Sequence, residues 1–277
     1  MLNDDAKNFI FDNPQLSIQE MYDIFSRRYT KEQLRNYCKN NGVSFRRVTE
    51  KEKSLAIKKG LVGSVRKQYH RTKINHDYFK TWSSNMAYIF GLWCADGNIY
   101  HSTENNIWRF EIRLKASDKY LLQDILLEME SEHKIYDRIT DNSSSIGICC
   151  KTLYQDIVSL GGVERKSLTL MFPKVSKEYL PDFIRGYFDG DGCVHPSQKR
   201  GYLLGTQQFC EQLNQILLEQ NIHTSSLRQK HPNSNCFILG IYKQLEFSKF
   251  IDYIYQNISG SSIGLRRKDV KKLLPIK

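Results

Sequence analysis

Two hydrophobic periods alternate along most of the chain. Trp108 to Lys115 reads with strict period two: Arg109, Glu111, Arg113 and Lys115 lie on one face, Phe110, Ile112 and Leu114 on the other. That pattern predicts a strand with one core face and one charged face. Lys134, Tyr136 and Arg138 repeat it against Ile135 and Ile139, and Ser226, Arg228 and Lys230 repeat it more weakly. Near the amino terminus the period is helical instead. Ile18, Met21, Ile24 and Phe25, then Leu34, Tyr37 and Val43, fall on helix faces. Ser17 with Glu20 supplies a capping box for a helix over 18–28, and Thr30 caps a second over 31–41 before Gly42 ends it. Residues 1–42 therefore read as two or three short helices.

A larger period contains these local ones. Tyr88 to Gly97, YIFGLWCADG, returns 95 residues later as Phe183 to Gly192, FIRGYFDGDG. Ile125-Leu126-Leu127-Glu128 returns as Ile216-Leu217-Leu218-Glu219, Ile146–Lys151 as Ile238–Lys243, and Arg165-Lys166 as Arg267-Lys268. The offsets are 95, 91, 92 and 102 residues, so loops alone differ in length. The reading is an α+β protein with an αββαββα unit present twice. Its boundaries are 1–43 for the helical segment, 44–84 for a basic linker or arm, 85–175 for the first repeat and 176–277 for the second.

Comparison of the two copies sorts the residues of the repeated segment. Gly91 and Ala95, like Gly186 and Gly190, are four apart and share one helix face, where two backbones can approach closely. Gly97 and Gly192 stand where a left-handed residue commonly ends a helix. Asp96 and Asp191 are then the last side chains of their helices, and parallel packing about a pseudo-two-fold axis brings them together. Asp189 has Cys94 as its counterpart, so symmetry does not demand it. Two adjacent carboxylates repel unless a cation intervenes. Hard oxygen donors with few other protein ligands suit Mg²⁺, or another divalent ion such as Mn²⁺, and metal-assisted phosphodiester hydrolysis. The plainer reading, in which Asp-Gly only closes a helix, suits one copy better than a matched pair.

Both segments resemble the LAGLIDADG motif of homing endonucleases, present twice as in the single-chain members of that family. IRGYFDGDG follows it closely, while IFGLWCADG departs where Cys94 stands for an acid. The resemblance covers residues 85–275. It implies two pseudo-symmetric repeats whose sheets form a DNA-binding saddle, with Asp96 and Asp191 holding the metal between two scissile phosphates. It also implies an active-site lysine near each acid, for which the internal repeat nominates Lys166 and Lys268. Lys151 and Lys243 also match one another and remain rivals.

Charge agrees with a polyanionic partner. The chain of 277 residues carries a net charge of +11 with pI about 9.2. Residues 43–80 hold eleven Lys/Arg against three Asp/Glu, whereas residues 1–42 hold six of each. A helix, a turn, a second helix with Lys31, Arg35 and Lys39, and then a basic arm suggest a helix-turn-helix DNA-binding unit. A plain helical hairpin with a solvated basic face accounts for the same pattern. On the repeats, Arg109, Arg113, Lys115, Lys134, Tyr136, Arg138, Arg228 and Lys230 are candidate DNA contacts, because antiparallel ribbons enter the major groove.

Other classes find no support. The seven cysteines make no CxxC pair and no Cys/His grouping of zinc type. His101 and His195 follow the two Asp-Gly turns at unequal spacing, and Gln207 and Gln208 offer at most water or base contacts. No apolar run of about 18 residues and no secretory leader is present, so the protein is expected in its compartment of synthesis, the cytoplasm or nucleoid if prokaryotic or phage. The chain starts with Met and lacks a terminal His-Asn before a nucleophile, which reads as a free-standing or intron-encoded enzyme.

The expectation is a monomeric, divalent-metal-dependent endonuclease acting on double-stranded DNA at a long, asymmetric site. The alternative is a non-catalytic nucleic-acid binder on the same scaffold, an RNA maturase or a transcription regulator.

Overall fold

Three capped helices open the chain: α1 (Asp4–Asp12), α2 (Ile18–Ile24) and α3 (Lys31–Asn40). The computed structural model describes residues 2–25, 28–46, 72–259 and 262–266, in two units, Met1–Tyr69 and His70–Lys277. In the first unit, Asn3 accepts from the Ala6 amide, and Ser17 with Glu20 and Thr30 with Gln33 form complete capping boxes. Each cap of this kind stabilises its helix by about 0.5–2 kcal/mol. Ala6, Ile10, Ile18, Met21, Tyr29, Leu34 and Cys38 form the core. The second helix ends at Ile24 rather than at the expected Arg28. Phe25 leaves the helix to pack its ring edge-on against Phe9 and Tyr29, at 5.5 and 5.6 Å. Gly42 follows α3 with φ +66°, the left-handed end that the sequence predicts.

The arm expected over 44–84 is shorter at its carboxyl end. Ile74, Tyr78 and Phe79 are buried in the second unit, and the Asn75 amide donates to Met129 O. Residues 47–71 lie outside the described residues.

The second unit runs α4 (Ser84–Asp96), β1 (Gly97–Ser102), β2 (Ile107–Lys115), α5 (Lys119–Glu128), β3 (Ile135–Arg138), β4 (Ser143–Cys149) and α6 (Lys151–Ser159). It continues with α7 (Leu180–Asp191), β5 (Gly192–His195), β6 (Arg200–Gly205), α8 (Gln207–Glu219), β7 (Arg228–Gln229), β8 (Phe237–Ile241) and α9 (Gln244–Ile254). The αββαββα order thus appears twice. Each repeat builds one antiparallel four-stranded sheet, in the orders β1-β2-β4-β3 and β5-β6-β8-β7. Along β2 the alternation holds, with Phe110, Ile112 and Leu114 buried and Arg113 and Lys115 exposed. Ile139 departs from the expected pattern: it sits in a 3-10 turn after β3 and is 96% exposed.

Register corrects one sequence correspondence. Ile112 opposes Ile146, and its counterpart Leu203 opposes Leu239. The last strands are therefore related by 93 residues, matching Ile146-Gly147-Ile148 to Leu239-Gly240-Ile241. Lys151, the first residue of α6, then corresponds to Gln244, the first of α9, while Lys243 is the α9 N-cap and corresponds to Cys150. Lys151 and Lys243 are not equivalent positions.

The motif helices α4 and α7 pack at van der Waals limits. A Cβ on Gly91 would lie 2.0 Å from Phe183 O, and one on Gly186 would lie 2.0 Å from Tyr88 O. Tyr88 and Phe183 are themselves repeat partners, so the two contacts are images of one another and define the pseudo-two-fold axis. At the helix ends the expectation of left-handed glycines fails. Gly97 has φ −95° and Gly192 φ −87°, both extended. Glycine is required there for space: a Cβ would meet Trp93 Cδ1 at 2.1 Å and Phe188 Cδ2 at 2.2 Å. Each strand consequently starts directly after its Asp.

Candidate active site and nucleic-acid interface

The close helix contact decides where the acids sit. Asp96 and Asp191 terminate α4 and α7, Asp96 exposed and Asp191 half-buried. A Cβ on Gly190 would meet Ala95 Cβ at 2.3 Å and Asp96 Oδ2 at 3.0 Å. The missing side chain of Gly190 therefore makes room for the carboxylate of the opposite helix. Among the described residues no group of three or more His, Cys, Asp and Glu gathers that would form an all-protein metal cage.

Two cavities flank the helix pair, and their linings correspond through the repeat. One, of about 480 Å³, has Asp96 together with Arg113 and Lys115 from β2 and Asp141–Ser143 from the turn before β4. The other, of about 600 Å³, has Asp191 with Leu204 and Gly205 from β6, Lys230, and Asn233–Cys236 before β8. Each acid thus opens onto the sheet of its own repeat. The second cavity also receives Lys166, from the first repeat.

Lys166 is reached through a left-handed residue, Arg165, at φ 54°. Its side chain is buried, its ammonium donates to Ala95 O at 2.5 Å, and it lies 6.0 Å from the Trp93 ring. Burial pulls its pKa below that of an ordinary lysine, while the nearby Cys94, Asp191 and Asp96 partly offset that shift. One ammonium therefore feels both motif acids. Lys151 is elsewhere, exposed at the start of α6 with its ammonium 5.3 Å from the Trp108 ring. Lys268 lies outside the described residues.

The departure at Cys94 has a structural account. Asp189, its repeat partner, is buried and accepts from the Tyr88 hydroxyl at 2.6 Å and from the Leu265 amide at 3.0 Å. Tyr88 in turn is the partner of Phe183. One side of the helix pair therefore carries a polar pair, Tyr88 with Asp189, and the symmetry-related positions carry the apolar pair Phe183 and Cys94. Cys94 is fully buried, and burial pushes its thiol pKa up, so it is a neutral core residue. The sequence excluded Asp189 from the catalytic pair but carried no sign of its tie to Tyr88.

Arg109, Arg113 and Lys115 share the uncovered face of the first sheet with Glu111. Glu111 holds Arg109 at 3.3 Å and Arg113 at 3.0 Å, setting the two guanidinium groups in a row. Gly147, opposite Glu111, leaves the space that the Arg109 guanidinium occupies, since a Cβ there would meet it at 2.3 Å. Lys134, Tyr136 and Arg138 are exposed on or beside β3 at the sheet edge, with Arg138 3.8 Å from Asp141. Arg228 and Lys230 are exposed, Arg228 on the two-residue β7 and Lys230 just beyond it. Of these, Arg113, Lys115 and Lys230 reach the cavities of the acids, and the others stay outside them. Gln207 and Gln208 are exposed and line neither cavity. His101 stacks on Trp108, centroids 3.5 Å apart, beside Tyr154, and His195 stays near Tyr202. Asp118, buried in the Asp96 cavity, was missed, because a lone acid in the short 3-10 turn after β2 gives no sign in sequence of facing a site.

Known proteins share parts of this arrangement. Residues 178–255 match the LAGLIDADG-like domain family. A DNA polymerase of Thermococcus hydrothermalis is 25% identical over 170 residues, covering 60% of this chain; the match spans 10% of that protein. Among solved structures, mesophilic variants of the homing endonuclease I-DmoI superpose with a TM-score of 0.51 at 19% identity, over 72% of this chain and 98% of theirs. I-DmoI in complex with DNA and Ca gives a TM-score of 0.50 at 19% identity, over 70% of this chain and 96% of that one.

Proposed function

From a chain with the fold of the LAGLIDADG homing endonucleases and a LAGLIDADG-like domain in its second half, we propose a site-specific endonuclease that cuts both strands of duplex DNA with the help of a divalent cation. The observation that carries this reading is the pairing of Asp96 and Asp191 at the ends of two helices in glycine-mediated contact, each acid lining a cavity that also holds cations, Arg113 and Lys115 beside Asp96 and Lys166 and Lys230 beside Asp191. A solved I-DmoI complex that holds DNA and Ca accords with it.

The donor set fits such a cation. Asp96 and Asp191 offer hard carboxylate oxygens without a closed cage, which suits an ion that keeps water and binds phosphate. When bound, the ion supplies Lewis acidity toward a phosphoryl oxygen and a more acidic water. The remaining work falls to this chain's own side chains. Asp96 and Asp191 would hold that cation at the helix ends. Lys166, with its lowered pKa, is poised to take a proton from the attacking water on the Asp191 side. Arg113, Lys115 and Lys230 fix the backbone of the duplex beside the acids. Because Arg113 and Lys115 have Leu204 and Thr206 as their repeat counterparts, the two half-sites differ in charge, as a long asymmetric target requires.

A plasmid library with a randomised insert, incubated with the protein and Mg²⁺, tests the activity. Enrichment of one insert sequence among linearised molecules, abolished by EDTA, is the expected result. Binding with no linear or nicked product in Mg²⁺ or Mn²⁺ favours instead the maturase or regulator reading.

A further inference from the structure

The first unit carries a second surface with the chemistry of a DNA reader. On α3, Leu34 and Cys38 point into the three-helix core, while Lys31, Arg35 and Lys39 form one exposed row at four-residue spacing. Glu32, Asn36 and Asn40 form an adjoining exposed row. The cation row spans about 12 Å at 1.5 Å per residue, close to the roughly 12 Å width of the major groove of B-DNA. The neighbouring row contains amide and carboxylate groups, the types that pair with adenine and cytosine edges.

Ion pairing in this unit is uneven in a way that matters. Lys7 is held by Asp4 at 2.7 Å and Arg46 by Glu20 at 3.0 Å. Among the described residues, no carboxylate lies within 4 Å of Lys31, Arg35 or Lys39, and Lys31 instead lies over the Tyr22 ring. The acids of α1 and α2 thus neutralise cations elsewhere and leave the α3 row charged. The basic stretch 47–71, with eight Lys/Arg against two Asp/Glu, follows directly in sequence. A shorter helix packed against a following one that presents its polar face resembles the helix-turn-helix arrangement.

We infer that α3 is a recognition helix, and that the unit binds double-stranded DNA through Lys31, Arg35 and Lys39 independently of the cleavage site. This goes beyond the endonuclease reading, since it adds contacts that the repeat sheets do not make. Each cation set against a phosphate releases counterions, so three such contacts steepen the salt dependence of binding by about 2.7 in log–log slope.

The test uses the full chain with Asp96→Asn and Asp191→Asn, which removes cleavage, and a random-sequence 40-bp duplex as probe. Affinity is measured by fluorescence anisotropy across a salt series without divalent ions. Arg35→Gln with Lys39→Gln is expected to lower the slope by about 2 and weaken binding roughly tenfold near physiological salt. Lys7→Gln, which removes a half-exposed charge paired with Asp4 on α1, is the control and is expected to leave the slope unchanged. Arg35 and Lys39 are exposed and Lys7 is half-exposed, and unchanged thermal melts confirm folding. An unchanged slope in the double variant, or an equal loss in the Lys7 control, overturns the inference. Because the background is cleavage-dead, either outcome leaves the endonuclease reading to its own test.

Discussion

The Tyr88 hydroxyl donates to Asp189 at 2.6 Å from one motif helix to the other, beside the buried Arg185 guanidinium 4.3 Å from the Tyr88 ring. The bond joins the two repeats at a point where their sequences differ, and Asp189 also lines the Asp96 cavity. Removing only the donor leaves a buried carboxylate with one fewer partner, a cost of about 1–3 kcal/mol. Tyr88→Phe should therefore lower the thermal midpoint while leaving cleavage measured well below it near the wild-type rate. A midpoint within error of wild type would show the bond to be energetically idle.

The glycines divide by what they face. Alanine at Gly91 or Gly186 would push a Cβ to 2.0 Å from a backbone carbonyl, which cannot move without shifting a helix. Gly91→Ala and Gly186→Ala should each cost about 1–3 kcal/mol or more in stability. Gly190→Ala meets Ala95 Cβ, which its helix backbone fixes, and the Asp96 carboxylate, so it should cost both stability and cleavage. Denaturant melts alongside cleavage rates separate the two classes.

Lys166 gives a prediction about strands. It lines the Asp191 cavity, and its repeat counterpart Lys268 lies outside the described residues; Lys166→Met should slow cleavage at the Asp191 side by about 10²-fold or more. Nicked circles should then accumulate before linear product. Since burial lowers its pKa, the neutral amine becomes available at lower pH than for an ordinary lysine. Cleavage of that strand should rise as pH increases through the lowered pKa, and Lys166→Met should flatten the profile. An unchanged pH profile in the variant would remove the proton-transfer role.

On the first sheet, Arg113→Gln with Lys115→Gln should reduce the salt slope of DNA binding by about 2. Arg109→Gln should reduce it about half as much, because it removes one cation and not two. Titration in increasing KCl measures both.

Much of this architecture was legible because duplication marks it twice. Gly91 and Gly186, read as helix-contact residues from spacing alone, prove to be the two images of one backbone contact. Strict alternation in β2 identified its charged face, since a half-buried strand must alternate. What sequence hid depends on geometry with no period. Gly97 and Gly192 serve space and not a left-handed turn, because the obstacle is a side chain four residues back. The apparent match of Lys151 with Lys243 dissolved on a one-residue difference that only strand register reveals. Ile139 satisfied the alternation on paper, but the chain had already turned out of the strand.

The central claim is that Asp96 and Asp191 together carry cleavage, and single substitutions test it most directly. Wild type, Asp96→Asn and Asp191→Asn are each incubated in Mg²⁺ with a plasmid bearing the genomic sequence that flanks the coding locus, and products are resolved strand by strand. The account predicts linear product from wild type and loss of linear product in both variants, with DNA affinity retained. Undiminished double-strand cleavage in either variant would contradict it.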